Sequence, residues 1–160
     1  MEVARKSNPP SPFPNQSEFR VPPQDLEAEQ SVLGAMMLSS EATRTVIPIC
    51  KEEDFYREAH RKLYKAVVTL DDRKEPIDII TMTNELKRMG EFETIGGVSA
   101  LSALIDRVPT AANAEYYANI VKEKSAARRL INAATQVVAD AYSDSVPIKE
   151  LLDEIGRAHV

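Results

Sequence analysis

Apolar positions in this chain recur mostly in steps of three and four, the spacing of one helix face, and rarely in steps of two. The first such run starts after Pro22-Pro23, which imposes an extended entry. Leu26, Leu33 and Met37 follow helical spacing with Gln30 between them, and Val32 and Met36 widen the stripe. This predicts an amphipathic helix from about Pro22 to Leu38, with Asp25 as its cap or in its first turn. Ser39-Ser40 ends it, and Ser40 is placed to cap a second helix from Glu41 to about Ile47, closed by Pro48. Asp54-Phe55-Tyr56 predicts a short turn. His60, Leu63, Tyr64 and Val67 then predict a third helix to about Asp72. Pro76-Ile77-Asp78-Ile79-Ile80 is the one strand-like run, and without a partner strand it is expected to be an extended linker. Thr81 is placed to cap a fourth helix carrying Met82, Leu86 and Met89, with Gly90 as a left-handed C′ residue. Gly96-Gly97 opens a fifth helix bearing Leu101, Leu104, Ile105 and Val108, and Pro109 ends it.

From Asn113, a good cap, no Gly or Pro occurs until Pro147. Tyr117, Ile120, Lys124, Ala127, Ile131, Ala134, Val138 and Ala141 alternate in steps of three and four, a heptad seam interrupted once by Lys124. A helix of about 30 residues would be about 45 Å long, too long for a small head to cover. Ser143-Asp144-Ser145 predicts a turn, and Pro147 sits near the start of a further helix striped by Ile148, Leu151 and Leu152. The expected architecture is all-α: a small globular helical head over 22–110, then a long helical hairpin over 111–154 whose second arm is truncated. Met1 to Val21, rich in Pro, Ser, Asn and Gln, is expected to be a disordered tail. Residues 155–160 break the last helical pattern at Gly156 and match an in-frame translation of a sequencing-library adapter. They are expected to be a non-native tail, with the natural protein continuing beyond Glu154.

Composition narrows the function classes. Apolar residues make up 43% and aromatics 6%, with no Trp, so the core must rest on Leu, Ile, Val, Met and Ala. A net charge of −5, with both signs interspersed, argues against a free-standing nucleic-acid binder. The single cysteine, Cys50, excludes an internal disulfide and a Cys-rich zinc site, and reads as an apolar filler or free thiol. No apolar run approaches the length of a membrane span. No phosphate-binding GxxxxGK[ST], GxSxG or HExxH string occurs, so no catalytic, cofactor or metal residue is assigned. His60 is expected to be a packed histidine with one hydrogen-bonded nitrogen. Asp71-Asp72 and Glu52-Glu53-Asp54 are expected to be solvated charge that compensates helix ends. Arg128-Arg129, with Lys122 and Lys124, is the densest basic patch, a solvated face or a weak contact with DNA or an acidic partner.

Several separated strings agree with one family. The PP…EAEQ start before Val32-Leu33-Gly34-Ala35-Met36-Met37-Leu38 resembles the opening of bacterial replicative helicases of the DnaB type. So do Asp54-Phe55-Tyr56 with His60-Arg61 and Tyr64, the Pro76-Ile77-Asp78 step, and Gly96-Gly97 before a Leu-rich helix. The run Ala111-Ala112-Asn113-Ala114-Glu115-Tyr116-Tyr117-Ala118, with Val121-Lys122-Glu123-Lys124 and Arg128, is also similar. The resemblance covers Pro22 to about Glu154. It implies an N-terminal domain whose hairpins pair between subunits, six copies forming a trimer-of-dimers collar that docks primase and shapes a channel for single-stranded DNA. It implies a bacterial, cytoplasmic parent that hydrolyses ATP with Mg in a motor following the hairpin, and no cofactor in this stretch. The pairing seam would be Tyr117, Ile120, Lys124, Ala127, Ile131, Ala134 and Val138, with Arg128 and Arg129 as partner or DNA contacts. A different class is a stand-alone, motor-less adaptor that binds a helicase or primase.

Overall fold

The computed structural model describes residues 20–143 and 146–158. Seven α-helices follow one another: α1 Leu26–Leu38, α2 Ser40–Val46, α3 Glu58–Asp72, α4 Ile79–Arg88, α5 Gly97–Arg107, α6 Ala114–Ser143 and α7 Ile148–Ala158. Short 3-10 turns at Glu52–Asp54 and Ala111–Asn113 join them, and no strand occurs among the described residues. The all-α head and long hairpin expected from the pattern are both present.

The head is built around α1. Asp25 caps it by accepting the Ala28 amide at 2.9 Å. The expected amphipathic stripe is replaced by burial on nearly every side, since the six consecutive residues from Val32 to Met37 are all buried. The reason is position: α2, α3, α5 and α6 all pack against this helix, so it has almost no solvent face. Around it lie Leu63, Val67 and Leu70 of α3, Met82 and Leu86 of α4, and Leu101 of α5. Gly34 lets α5 approach. A Cβ there would collide with the Leu104 carbonyl oxygen and lie 2.7 Å from Val108 Cγ2. Gly34→Ala is therefore expected to destabilise the domain by about 2 kcal/mol, despite alanine's better helix propensity. Urea unfolding followed by circular dichroism checks this, and a variant as stable as the parent would contradict it.

Two caps differ from the sequence expectation by a few residues. Ser39, not Ser40, caps α2, accepting the Ala42 amide at 3.3 Å. Asp78, not Thr81, caps α4, accepting the Ile80 and Thr81 amides at 2.9 Å each. Thr81 Oγ1 completes the capping box by accepting the Asp78 amide at 3.0 Å. Ile79 and Ile80 therefore belong to α4, and the extended linker ends at Asp78. Gly90, with φ of 73°, takes the expected left-handed position after α4. Helix α6 is entered through the 3-10 turn that Thr110 caps, with Asn113 as its last residue rather than as the cap.

The 30-residue α6 divides into two halves. Ala114, Ala118, Val121 and Ser125, in steps of four, three and four, are buried against the head. From Arg129 to Gln136 every residue is exposed, because the helix has left the head behind. Helix α7 folds back on α6 with Leu151 only 2% exposed. It continues past Glu154 and through Gly156 to Ala158, so the break in helical pattern expected there is absent. The expected Pro-rich tail, except for Arg20 and Val21, lies outside the described residues. So do Asp144-Ser145 of the expected turn, and His159 and Val160 at the end.

Candidate docking surface on the α6 hairpin

How α6 is held decides what its free half can present. Asp54 closes the Glu52–Asp54 turn with its side chain fully buried. Its Oδ2 accepts the Lys51 amide at 2.8 Å and Lys122 Nζ at 2.9 Å, and its Oδ1 accepts Ser125 Oγ at 2.6 Å. Arg129 Nη1 stands 3.9 Å from Oδ1. Burial by itself would raise the Asp54 carboxyl, but the hydrogen bonds from Ser125, Lys122 and Lys51 outweigh it and hold it below the ordinary value. The reading of this acidic run as solvated charge is thus corrected for Asp54, while Glu52 and Glu53 are exposed. Arg128 adds a second clamp, donating to the Asp54 carbonyl at 2.6 Å and the Pro23 carbonyl at 2.7 Å. Its guanidinium lies 5.5 Å from the Tyr56 ring centroid, a cation–π contact. The chain before α1, the turn before α3 and the middle of α6 are tied at one point.

Two further contacts support that point. The Cys50 thiol lies 3.3 Å from the Ala118 carbonyl, and the Tyr64 hydroxyl donates to the Cys50 carbonyl at 2.5 Å. Burial pushes the Cys50 thiol up to about 12, so it stays protonated and inert near neutral pH. Glu29, buried within α1, accepts the Tyr56 amide at 2.6 Å and pairs with His60 Nδ1 at 2.6 Å. His60 is only 4% exposed, the packed and hydrogen-bonded histidine that the sequence suggested. Its partner was not legible, because 31 residues separate the two in sequence.

The seam residues fall into two groups. Tyr117 and Ile120 are half-buried against the head core, and Lys124 and Ala127 are also half-buried. Ile131, Ala134 and Val138 are exposed, Ile131 by 49% and Val138 by 55%. At 100° per residue Ile131, Ala134 and Val138 lie roughly 140° around α6 from the Ala114–Ser125 face. The outer half therefore presents an apolar stripe turned away from the head. Leu130 and Tyr142 of α6 and Ile148 and Leu152 of α7 are also exposed apolar groups of the hairpin. Arg128 bonds into the clamp, whereas Arg129 is 57% exposed and lies on the head side of α6, across the helix from the stripe. Among the described residues no group of three or more His, Cys, Asp or Glu side chains could hold a metal ion. No helix among them is long and apolar enough to cross a membrane.

This geometry has close counterparts. The family model described as the DnaB-like helicase N terminal domain matches residues 21–123. Replicative DNA helicase DnaB of Geobacillus stearothermophilus is 52% identical over 138 residues, covering 86% of this chain and 30% of that protein. Replicative DNA helicase DnaC of Bacillus subtilis is 47% identical over 135 residues, covering 84% of this chain and 30% of the relative. The chain thus spans about a third or less of the length of these relatives. The crystal structure of the N-terminal domain of DnaB helicase from Mycobacterium tuberculosis superposes with a TM-score of 0.79 at 48% identity, over 84% of this chain and 94% of that one. The N-terminal domain of DnaB helicase from Helicobacter pylori, described with its interactions with primase, shares the fold at 20% identity over 72% of this chain and 90% of that one, with a TM-score of 0.61.

Proposed function

This chain belongs to the DnaB-like helicase N-terminal domain family, and we propose that it is the collar and primase-docking domain of a replicative helicase. In this reading the longer protein is a bacterial cytoplasmic enzyme that unwinds duplex DNA at the replication fork. Its ATP and magnesium serve a motor outside this stretch, and these residues do no chemistry. Six copies form a trimer of dimers around a channel for single-stranded DNA. The observation that carries the reading is the apolar outer half of α6, with Ile131, Ala134 and Val138 exposed on a helix clamped to the head at its base.

The physics of that stripe favours a partner helix. Contiguous exposed apolar surface marks an interaction site. A sustained heptad seam presents its side chains to a second helix by knobs-into-holes packing. Ala127 and Ala134 are small enough to let a partner approach closely, and Ile131 and Val138 supply apolar area to bury. A self-complementary surface of this kind generates a closed dimer in which the same patch meets itself. The clamp at Asp54 and Arg128 fixes the direction in which α6 leaves the head, so pairing two seams sets the angle between two heads. Primase then docks on the hairpin faces left open after pairing.

Docking is testable by calorimetry with primase from the same organism. Saturable heat is expected with the intact chain. Absence of binding at micromolar concentrations of both proteins would contradict the docking role.

A further inference from the structure

A half-open pocket of about 630 Å³ lies where the chain before α1 crosses the middle of α6. Four arginines line it, Arg20, Arg61, Arg128 and Arg129, and Glu53 is the one carboxylate among the lining residues. The lining residues therefore carry a net charge of +3 in a chain whose net charge is −5. Neutral groups orient two of the guanidiniums. Arg61 Nε donates to the Phe55 carbonyl at 2.7 Å, and Arg128 donates to the carbonyls of Pro23 and Asp54. Carbonyl bonds fix a guanidinium without cancelling its charge, and each guanidinium has five donors, so several remain for a ligand. Arg61 has one loose carboxylate neighbour, Glu58 at 3.6 Å, which is 68% exposed. Arg129 faces Asp54 at 3.9 Å, but that carboxylate is already shared by Lys122, Ser125 and the Lys51 amide.

Ser125 and Asn132 add two neutral polar groups, and the rest of the lining is apolar or aromatic. Val21, Pro22, Pro23, Tyr56 and Ile131 make up this wall. A volume in the range of small-molecule sites, an apolar wall and a few oriented charged groups are the usual features of a ligand pocket. Arginine forks match phosphate oxygens geometrically. We propose that this pocket binds a small phosphorylated ligand of the nucleoside di- or triphosphate class, with its phosphates on the arginines and its base against the Pro23 and Tyr56 wall. The preceding stretch 1–19 does not supply a matching anion, because Glu2 and Glu18 are offset by Arg5 and Lys6. A long strand of nucleic acid fits less well. The four arginines meet at one pocket rather than along a track, and Glu115 and Glu123 interrupt the charge along α6.

The test is titration calorimetry of the full chain at low salt with ADP, ATP, inorganic pyrophosphate and a thymidine oligonucleotide. The variants are Arg20→Gln and Arg129→Gln, both exposed and neither part of the seam, so folding and self-association should be unchanged. ADP or ATP is expected to bind, more tightly than pyrophosphate, with affinity falling about tenfold for each arginine removed. No binding at millimolar nucleotide, or binding indifferent to both substitutions, overturns the proposal. Pyrophosphate binding as tightly as ADP overturns the nucleoside assignment. An oligonucleotide that displaces ADP and binds more tightly, with the same arginine dependence, assigns the pocket to a polymer instead.

Discussion

Asp54→Ala is expected to destabilise the domain by about 3 kcal/mol, one of the largest effects of any single substitution here. The carboxylate is fully buried and accepts from Lys122, Ser125 and the Lys51 amide. Removing it leaves the Ser125 hydroxyl, itself 3% exposed, without that acceptor, and leaves the lysine without its counter-charge. Lys122 is 36% exposed and can turn toward water, which keeps the cost below the upper end for a broken buried pair. Asp54→Asn should cost less, because an amide oxygen still accepts from Ser125 and the Lys51 amide.

The pH dependence has a definite sign. The Asp54 carboxyl is held below its ordinary value in the folded state, chiefly against burial and through the Ser125, Lys122 and Lys51 hydrogen bonds. Its contribution is therefore complete above the ordinary aspartate value of about 3.9 and is lost as pH falls through the lower folded value. The stability gap between the parent and Asp54→Ala should be widest near neutral pH and should narrow in strong acid. Urea unfolding at both pH values measures it. A gap below about 0.5 kcal/mol at neutral pH, the size of an ordinary surface change, would remove Asp54 from the clamp.

The strings that identified the family are mostly structural. Phe55 and His60 are buried, Tyr64 holds the Cys50 carbonyl, and Asp54 anchors α6. Their spacing was legible, but their roles were not, since Asp54 meets Ser125 across 71 residues of sequence. Periodicity found every long helix because apolar spacing is a local property. It misjudged α1, because a helix surrounded by others loses its polar face, and only tertiary packing reveals that. It missed the Ser39 and Asp78 caps because each has a second competent capping residue close by, in Ser40 and Thr81. The α6 seam was visible for the same local reason as the helices. The division after Arg128, where head contact ends and the exposed stripe begins, was not, because the heptad spacing runs on across it with Lys124 as its one interruption.

Substituting the outer seam should separate assembly from folding. Ile131→Asp with Val138→Asp places two charges on side chains that are already about half exposed, so the head should unfold at an unchanged urea concentration. In a paired hairpin both positions would be desolvated. Losing apolar burial and forcing two carboxylates against apolar neighbours should together cost several kcal/mol of association, about a hundredfold or more in affinity. Leu130 and Tyr142 remain as exposed apolar groups, so residual weak contact is compatible with the substitution. The most direct measurement is sedimentation equilibrium of the intact chain and the double variant from micromolar to millimolar concentration. A seam that pairs hairpins gives a concentration-dependent rise in mass for the parent and a monomer for the variant over the same range. A parent that stays monomeric throughout, or a variant that associates as well as the parent, would contradict the pairing role of α6.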